Sequence, residues 1–286
     1  MFVFQSMNHV FAFTTITAMI MLVWVLRKNP LMVGVDFIKH MFTSRKYMLH
    51  FIGMIAILYL NKLELLLEAH YQFAKDLTSK VYALEGNLVY HFQSFFEHEA
   101  LTAILAYVYI IVFPAILVSS IGIYTTTRHY ALYYALCYAV MLNYLIAIPF
   151  YLFVPVNEVW AFEPIGVRFL MLDVFPSFED SYRNLSGLDN CFPSLHTSLS
   201  VTLAIIAWHH PSRLWKGIAT LSAVTVIFSI FYLGIHWVTD MAGGLILGTF
   251  AAFTGLRLAK YRDSQPSLVP SVRRMKREQS VHERSV

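Results

Sequence analysis

Seven predominantly apolar runs, most of them about 20 residues long, recur along this chain, at about 8 to 26, 47 to 66, 101 to 123, 131 to 153, 194 to 209, 217 to 235 and 239 to 257. A helix needs about 20 such residues to cross ~30 Å of hydrocarbon, where only hydrogen bonds within the helix can satisfy the backbone. The chain is therefore expected to fold as an all-α, polytopic membrane bundle of about seven transmembrane helices. Its 58% hydrophobic content, 13% charged residues and mean hydropathy of +0.58 exceed what a single water-soluble core uses. No basic segment precedes the first run and no small-residue cleavage pattern follows it, so it is expected to remain as an uncleaved helix. The second run carries Lys62 and Glu64 near its outer end. It is expected to finish early and to continue as an amphipathic interfacial helix along 67 to 99. Three regions result: 1–100 with the N-terminal helices and the outer amphipathic segment, 101–258 as the catalytic membrane core, and 259–286 as a basic tail.

The basic residues sort to one side of such a bundle. Arg27, Lys28, Lys39, Arg45 and Lys46 fall between the first two runs, Arg128 between the third and fourth, Arg213 and Lys216 between the fifth and sixth, and eight more from Arg257 onward. Sixteen of the 21 Lys and Arg then share one face, which the positive-inside rule makes cytoplasmic. The N-terminus is expected outside, the C-terminus inside, and the 154 to 193 loop outside. In that loop Glu158, Glu163, Asp173, Glu179, Asp180 and Asp189 outnumber Arg168 and Arg183. The net charge of +4 sits beside spans, where it sets topology and meets anionic headgroups, so it does not point to nucleic acid. Two cysteines, Cys137 and Cys191, are too few for a disulfide framework or a cysteine metal cluster.

Two short polar stretches stand where a membrane protein normally excludes such groups. Cys191-Phe192-Pro193-Ser194-Leu195-His196 opens the fifth run, and Gly234-Ile235-His236-Trp237-Val238-Thr239-Asp240 joins the sixth and seventh. With seven spans, both lie at the outer boundary. Ionisable groups at that depth are costly and mark function. Asp240, four residues after His236, can accept a hydrogen bond from one ring nitrogen and leave the other as a nucleophile or base. His196 can protonate a leaving-group oxygen, since imidazole titrates near neutral pH. Ser194 and the free N–H groups at the start of the fifth span can receive a phosphate. His9, His70, His91, His98, His209 and His210 read as structural hydrogen-bonding residues, and Gly244 with Gly248 as a small-residue pair for close helix packing. A His, His, Asp set can also bind zinc, but no compact ligand spacing supports that here.

Pro193-Ser194-Leu195-His196 and His236-x-x-x-Asp240, with Ser229 seven residues before His236, resemble the second and third signature motifs of the type 2 phosphatidic acid phosphatase superfamily. The resemblance covers about residues 155 to 257 and implies a six-helix phosphatase-like core, to which one N-terminal helix is added. It further implies that His236 attacks phosphorus to give a phosphohistidine, that Asp240 orients it and that His196 protonates the leaving group. No metal or other cofactor is required in that family.

Three positions depart from the family pattern. Ile230 stands where arginine usually follows the motif serine, Leu195 replaces the glycine of Pro-Ser-Gly-His, and the best match to the first motif is Arg168-Phe169 with Ala161 at the lysine position. The cations left to cradle phosphate are then Arg168 and Arg183. A phosphate monoester carries about −1.5 to −2 at pH 7, and each charge-assisted bond to it contributes roughly 1.5 to 3 kcal/mol, so a thinned cradle suits a singly charged phosphodiester. The Pro-Ser-Leu-His wording also resembles the inositol phosphorylceramide synthase-like branch. The expected activity is transfer of a phospholipid head group at the outer face to a lipid or alcohol acceptor or to water. A lipid phosphate monoester phosphatase is the alternative, and a non-enzymatic transporter or scaffold the third reading.

Overall fold

The computed structural model describes residues 4, 6–68, 70, 71, 73–182 and 186–264. Twelve α-helical stretches appear among them: α1 (Met7–Leu26), α2 (Pro30–Thr43), α3 (Arg45–Glu68), α4 (Thr78–Glu85), α5 (Leu88–Phe96), α6 (Glu99–Tyr107), α7 (Phe113–Thr126), α8 (Tyr130–Phe153), α9 (Phe178–Tyr182), α10 (Leu195–Ala207), α11 (Arg213–Tyr232) and α12 (Val238–Ser264). One π-helical turn, Val108–Val112, joins α6 to α7, so Glu99–Thr126 runs as a single span. Among the described residues, six helices are long and apolar enough to cross a bilayer: α1, α3, α6–α7, α8, α11 and α12. The chain is an all-α, multi-pass integral membrane protein.

Helix α10 departs from expectation. The apolar run at 194 to 209 folds only from Leu195 to Ala207, 13 residues, or about 20 Å of helix against ~30 Å of hydrocarbon. Its end is set by the turn at Trp208 to Ser212, where the Ser212 hydroxyl accepts from Trp215 N and caps α11. Backbone pairing holds the 156–160 stretch beside the outer connectors: Val156 and Glu158 N–H donate to Asp189 and Leu188 on one side, and Val159 and Trp160 N–H donate to Ile235 and Gly234 on the other.

Two other expectations shift. Helix α3 does not stop early but runs unbroken to Glu68, with Glu64 only 2% exposed. Within the 67 to 99 segment, Thr78–Glu85 and Leu88–Phe96 form two short helices, and α5 packs Phe92 and Phe96 on Phe228 of α11 at ring separations of 5.0 and 5.1 Å. Between the first two spans, the Asn29 side chain accepts from Leu31 N and Pro30 occupies the first helical turn, nucleating α2. The tail is helical to Ser264, and 265–286 lies outside the described residues.

The core is the seam of α8, α10 and α12. Asn143 donates to Thr202, whose hydroxyl donates to the Gly248 carbonyl, so one polar relay knits all three helices. A Cβ on Gly248 would stand 2.2 Å from the Ser198 carbonyl oxygen, which only glycine avoids.

Candidate active site

His236 lies in the short connector between α11 and α12. Its backbone N–H and that of Ile235 both donate to the Ile230 carbonyl, which folds the connector back on α11. The turn requires Gly234 at φ +80°, because a Cβ there would meet the Arg168 carbonyl oxygen at 2.5 Å. The start of α12 is fixed by two carboxylates. Asp240 accepts from Trp237 N at 2.8 Å, the reach-back of a capping box. Glu85 accepts from the N–H groups of Val238 and Thr239 and from the Thr239 hydroxyl, placing negative charge at the positive end of the helix dipole.

This anchoring brings two groups together around one ring nitrogen. His236 Nδ1 is 3.4 Å from Asp240 Oδ2 and 3.0 Å from Cys191 Sγ. Burial pushes the Cys191 thiol well above its ordinary pKa, reinforced by Asp240 and Glu158, so it stays protonated. Its proton points to the Ile235 carbonyl at 3.3 Å, which leaves the sulfur as an acceptor toward Nδ1. Both neighbours therefore favour the tautomer with the proton on Nδ1. The lone pair then resides on Nε2.

His196 sits in the first turn of α10. Ser194 caps that helix by accepting from Thr197 N at 3.3 Å, and Ser194 N donates to the Asp240 carbonyl, tying the starts of α10 and α12 together. His196 Nδ1 is 3.1 Å from the Tyr109 hydroxyl, and the two rings stack 4.0 Å apart, with Phe113 on the same imidazole at 4.8 Å. Tyr109 lies in the π-helical turn, a device often found at functional sites. Pro114 follows it, and with no N–H the proline cannot continue the ordinary helical ladder.

His196 and His236 line one cavity of about 650 Å³, measured with its open mouth, and their ring centroids are 6.3 Å apart. Both rings can thus address a single phosphoryl group. The cavity wall also includes Asn61 of α3, Tyr144 and Tyr151 of α8, Glu158, Tyr182 and Asn190. Ends of alternating helices meet here: the C-terminal ends of α3, α8 and α11 and the starts of α10 and α12.

Of the remaining expected site residues, Arg168 and Ser194 are placed outside the cavity lining. The Arg168 guanidinium is exposed and pairs with Glu97 and, at 3.1 and 3.2 Å, with Asp173; Arg168 is not among the cavity-lining residues. Its backbone instead supports the site, since Gln93 accepts from Arg168 N and donates to the Arg168 and Tyr232 carbonyls. Ser194 is fully buried, with its hydroxyl committed to the helix cap. Arg183 lies outside the described residues. Ser229 donates to the Val226 carbonyl, and Ile230 is packed in an apolar cluster with Phe175 and Leu233. Among the described cavity-lining residues there is no Lys or Arg.

Cys191, Glu85, Tyr109 and Glu158 escaped the sequence reading. Cys191 opens the first recognised stretch and Glu158 stands among the acids of the outer loop, but nothing in their spacing assigns either a role. Tyr109 and Glu85 carried no signal, being far away in sequence and brought in by tertiary folding. Cys191, His236 and Asp240 hold their donor atoms within 4.8 Å of one another, a set of the right chemistry for a soft divalent ion, although the imidazole N–H already occupies that space.

A family described as "PAP2 superfamily" matches residues 79–254. The "Putative undecaprenyl-diphosphatase YbjG" of Escherichia coli (strain K12) is 44% identical over 91 residues, 29% of this chain and 44% of that protein. The chain thus matches less than half the length of that curated relative. No solved structure matches.

Proposed function

Because the chain belongs to the PAP2 superfamily, we propose that it is a membrane-embedded lipid phosphotransferase or phosphohydrolase that works through a histidine nucleophile. The observation that carries this reading is the single cavity shared by His236, whose Nδ1 is held by Asp240 and Cys191, and His196 at 6.3 Å. His236 Nε2 attacks phosphorus, the bond from phosphorus to the leaving oxygen breaks, and His196 supplies the proton to that oxygen. His196, now neutral, takes a proton from water or an alcohol. The oxygen so activated attacks phosphorus, releases His236 and completes hydrolysis or transfer. Asp240 keeps the imidazole in the productive tautomer and offsets its developing positive charge.

Substrate charge favours a phosphodiester. No cation stands among the described lining residues, and a singly charged phosphate loses less than a doubly charged one when cationic partners are few. The charge sorting along the chain supports an extracytoplasmic cavity, with the C-terminus in the cytoplasm. A second reading, hydrolysis of a polyprenyl diphosphate or of a lipid phosphate monoester, is favoured by the relative's printed name.

Purified protein in mixed-lipid vesicles containing EDTA separates the two. Faster consumption of diester lipids than of phosphatidate is the expected result. Brisk hydrolysis of phosphatidate or polyprenyl diphosphate with diesters untouched would establish the second reading instead.

A further inference from the structure

The residue that precedes α12 is Trp237, and a helix that starts there lacks the usual side-chain cap. An indole carries a donor and no acceptor, so the first N–H groups of the helix must find their acceptors elsewhere. Trp237 N–H is taken by Asp240 Oδ2 at 2.8 Å. Val238 N–H donates to Glu85 Oε2 at 2.8 Å, and the Thr239 N–H and hydroxyl both donate to Glu85 Oε1. Glu85 thus supplies the missing cap from 153 residues away.

Glu85 ends α4, and the other end of α4 reaches the same connector. Asp76 accepts from Thr78 N at 2.9 Å and from the Asn157 amide at 3.1 Å. The Thr78 hydroxyl accepts from Asn157 N at 2.8 Å, and the Asn157 carbonyl accepts from the Trp237 indole at 2.9 Å. Between these ends, the Tyr82 ring stands 6.4 Å from that of Trp237, which is fully buried. Residues 237 to 239 are therefore gripped from both ends of one short helix, immediately beside His236.

The grip controls the position of one carboxylate oxygen. Asp240 Oδ2 meets both Trp237 N and His236 Nδ1, the second at 3.4 Å, near the outer limit of a hydrogen bond. Its Oδ1 is buried without a hydrogen-bond partner, so the carboxylate is held through Oδ2. Fraying of the first turn moves Trp237 N, and Oδ2 with it, relative to the imidazole. We infer that Glu85 is a positioning residue for the His236 and Asp240 pair, acting through the first turn of α12 with α4 as its clasp. The inference rests on the histidine-nucleophile reading above.

The test is a double-mutant cycle of Glu85→Gln and Asp240→Asn in lipid vesicles, with kcat and KM measured separately and folded protein counted by its unfolding amplitude. A glutamine amide offers one oxygen where two are needed, so a donor of α12 loses its partner. In the wild-type background Glu85→Gln is expected to lower kcat about 10-fold, the effect of one lost charge-assisted bond, with KM changed less than about 2-fold. In the Asp240→Asn background the same change should lower kcat by less than about 2-fold, because the carboxylate it positions is gone. Thr239→Val removes only the hydroxyl donor to Glu85 and should show the same pattern at about 3-fold, which keeps the test decisive where Glu85→Gln fails to fold. Amide exchange on the peptide holding Trp237 to Asp240 should quicken in Glu85→Gln. Equal losses in both backgrounds, or unchanged exchange, would overturn the role of Glu85 while the histidine reading stands. A wild type that turns over no lipid phosphate would overturn both.

Discussion

The α10–α12 seam and helix α3 border the same cavity and are built in opposite ways. At the seam, backbone lies on backbone: Cβ atoms on Gly244 and Gly248 would stand 2.6 and 2.2 Å from the carbonyl oxygens of Ser194 and Ser198. On α3, the corresponding approach at Gly53 meets the end of the Met141 side chain at 3.0 Å, and Leu49, Ile52 and Ile55 face outward. The difference teaches where each task is placed. Groups that share a proton around His236 need tenths of an ångström, which a seam without side-chain freedom supplies. Helix α3, by contrast, reaches the cavity through Asn61 while much of its remaining surface faces outward.

Asp240→Asn tests the seam most severely. The amide oxygen can still accept from Trp237 N, so the start of α12 should survive, but the orienting charge is gone. Turnover should fall by about 10²-fold to 10⁴-fold with melting little changed. A variant that retained most of its activity would remove Asp240 from the mechanism. Gly248→Val comes next and acts on folding: overpacking costs about 1 to 3 kcal/mol and more where, as here, the neighbour is backbone. Thermal unfolding in detergent should show a marked drop, and an unchanged midpoint would mean that the seam is looser than described.

Tyr109→Phe is expected to act on rate more gently. Loss of the hydroxyl removes the hydrogen bond to His196 while keeping the stacked ring, so turnover should fall by about 3-fold to 10-fold, more for poor leaving groups than for good ones. Equal losses across leaving groups would indicate that Tyr109 supports the fold and not the proton transfer. Gly53→Ala should do least. Methionine is flexible and alanine is the better helix former by up to about 1 kcal/mol, so melting should move little in either direction. A collapse comparable to Gly248→Val would erase the contrast between the two walls.

Much of the seam was legible in the sequence because its residues are neighbours along the chain. His236 and Asp240 are one helical turn apart, and Pro193 to His196 announces a helix start, so local spacing carried their geometry. The role of Ser194 was less visible, since a hydroxyl at a helix start can serve its own backbone or a ligand, and here it serves Thr197 N. Arg168 was misplaced for a different reason. The partners of a guanidinium are decided by tertiary folding, and Glu97, 71 residues away, reaches it alongside Asp173. Hydropathy also could not register that α10 stops at Ala207, because Trp208 extends the apolar run without extending the helix. Lys62 and Glu64 looked like the end of a weak span, and only the fold shows that Asn61 of the same turn lines the histidines' cavity.

The central claim is that His236 carries the phosphorus between donor and acceptor. Rapid mixing with lipid substrate, an alkaline quench and peptide mass spectrometry measure it directly, since a phosphorus–nitrogen adduct survives base. The expected result is a transient adduct on the peptide holding His236, absent from His236→Asn. Its mass should equal the phosphorylated head group if the donor is a diester, and one phosphoryl group if it is a monoester. An adduct on another residue, or full burst turnover with His236 replaced, would contradict the account.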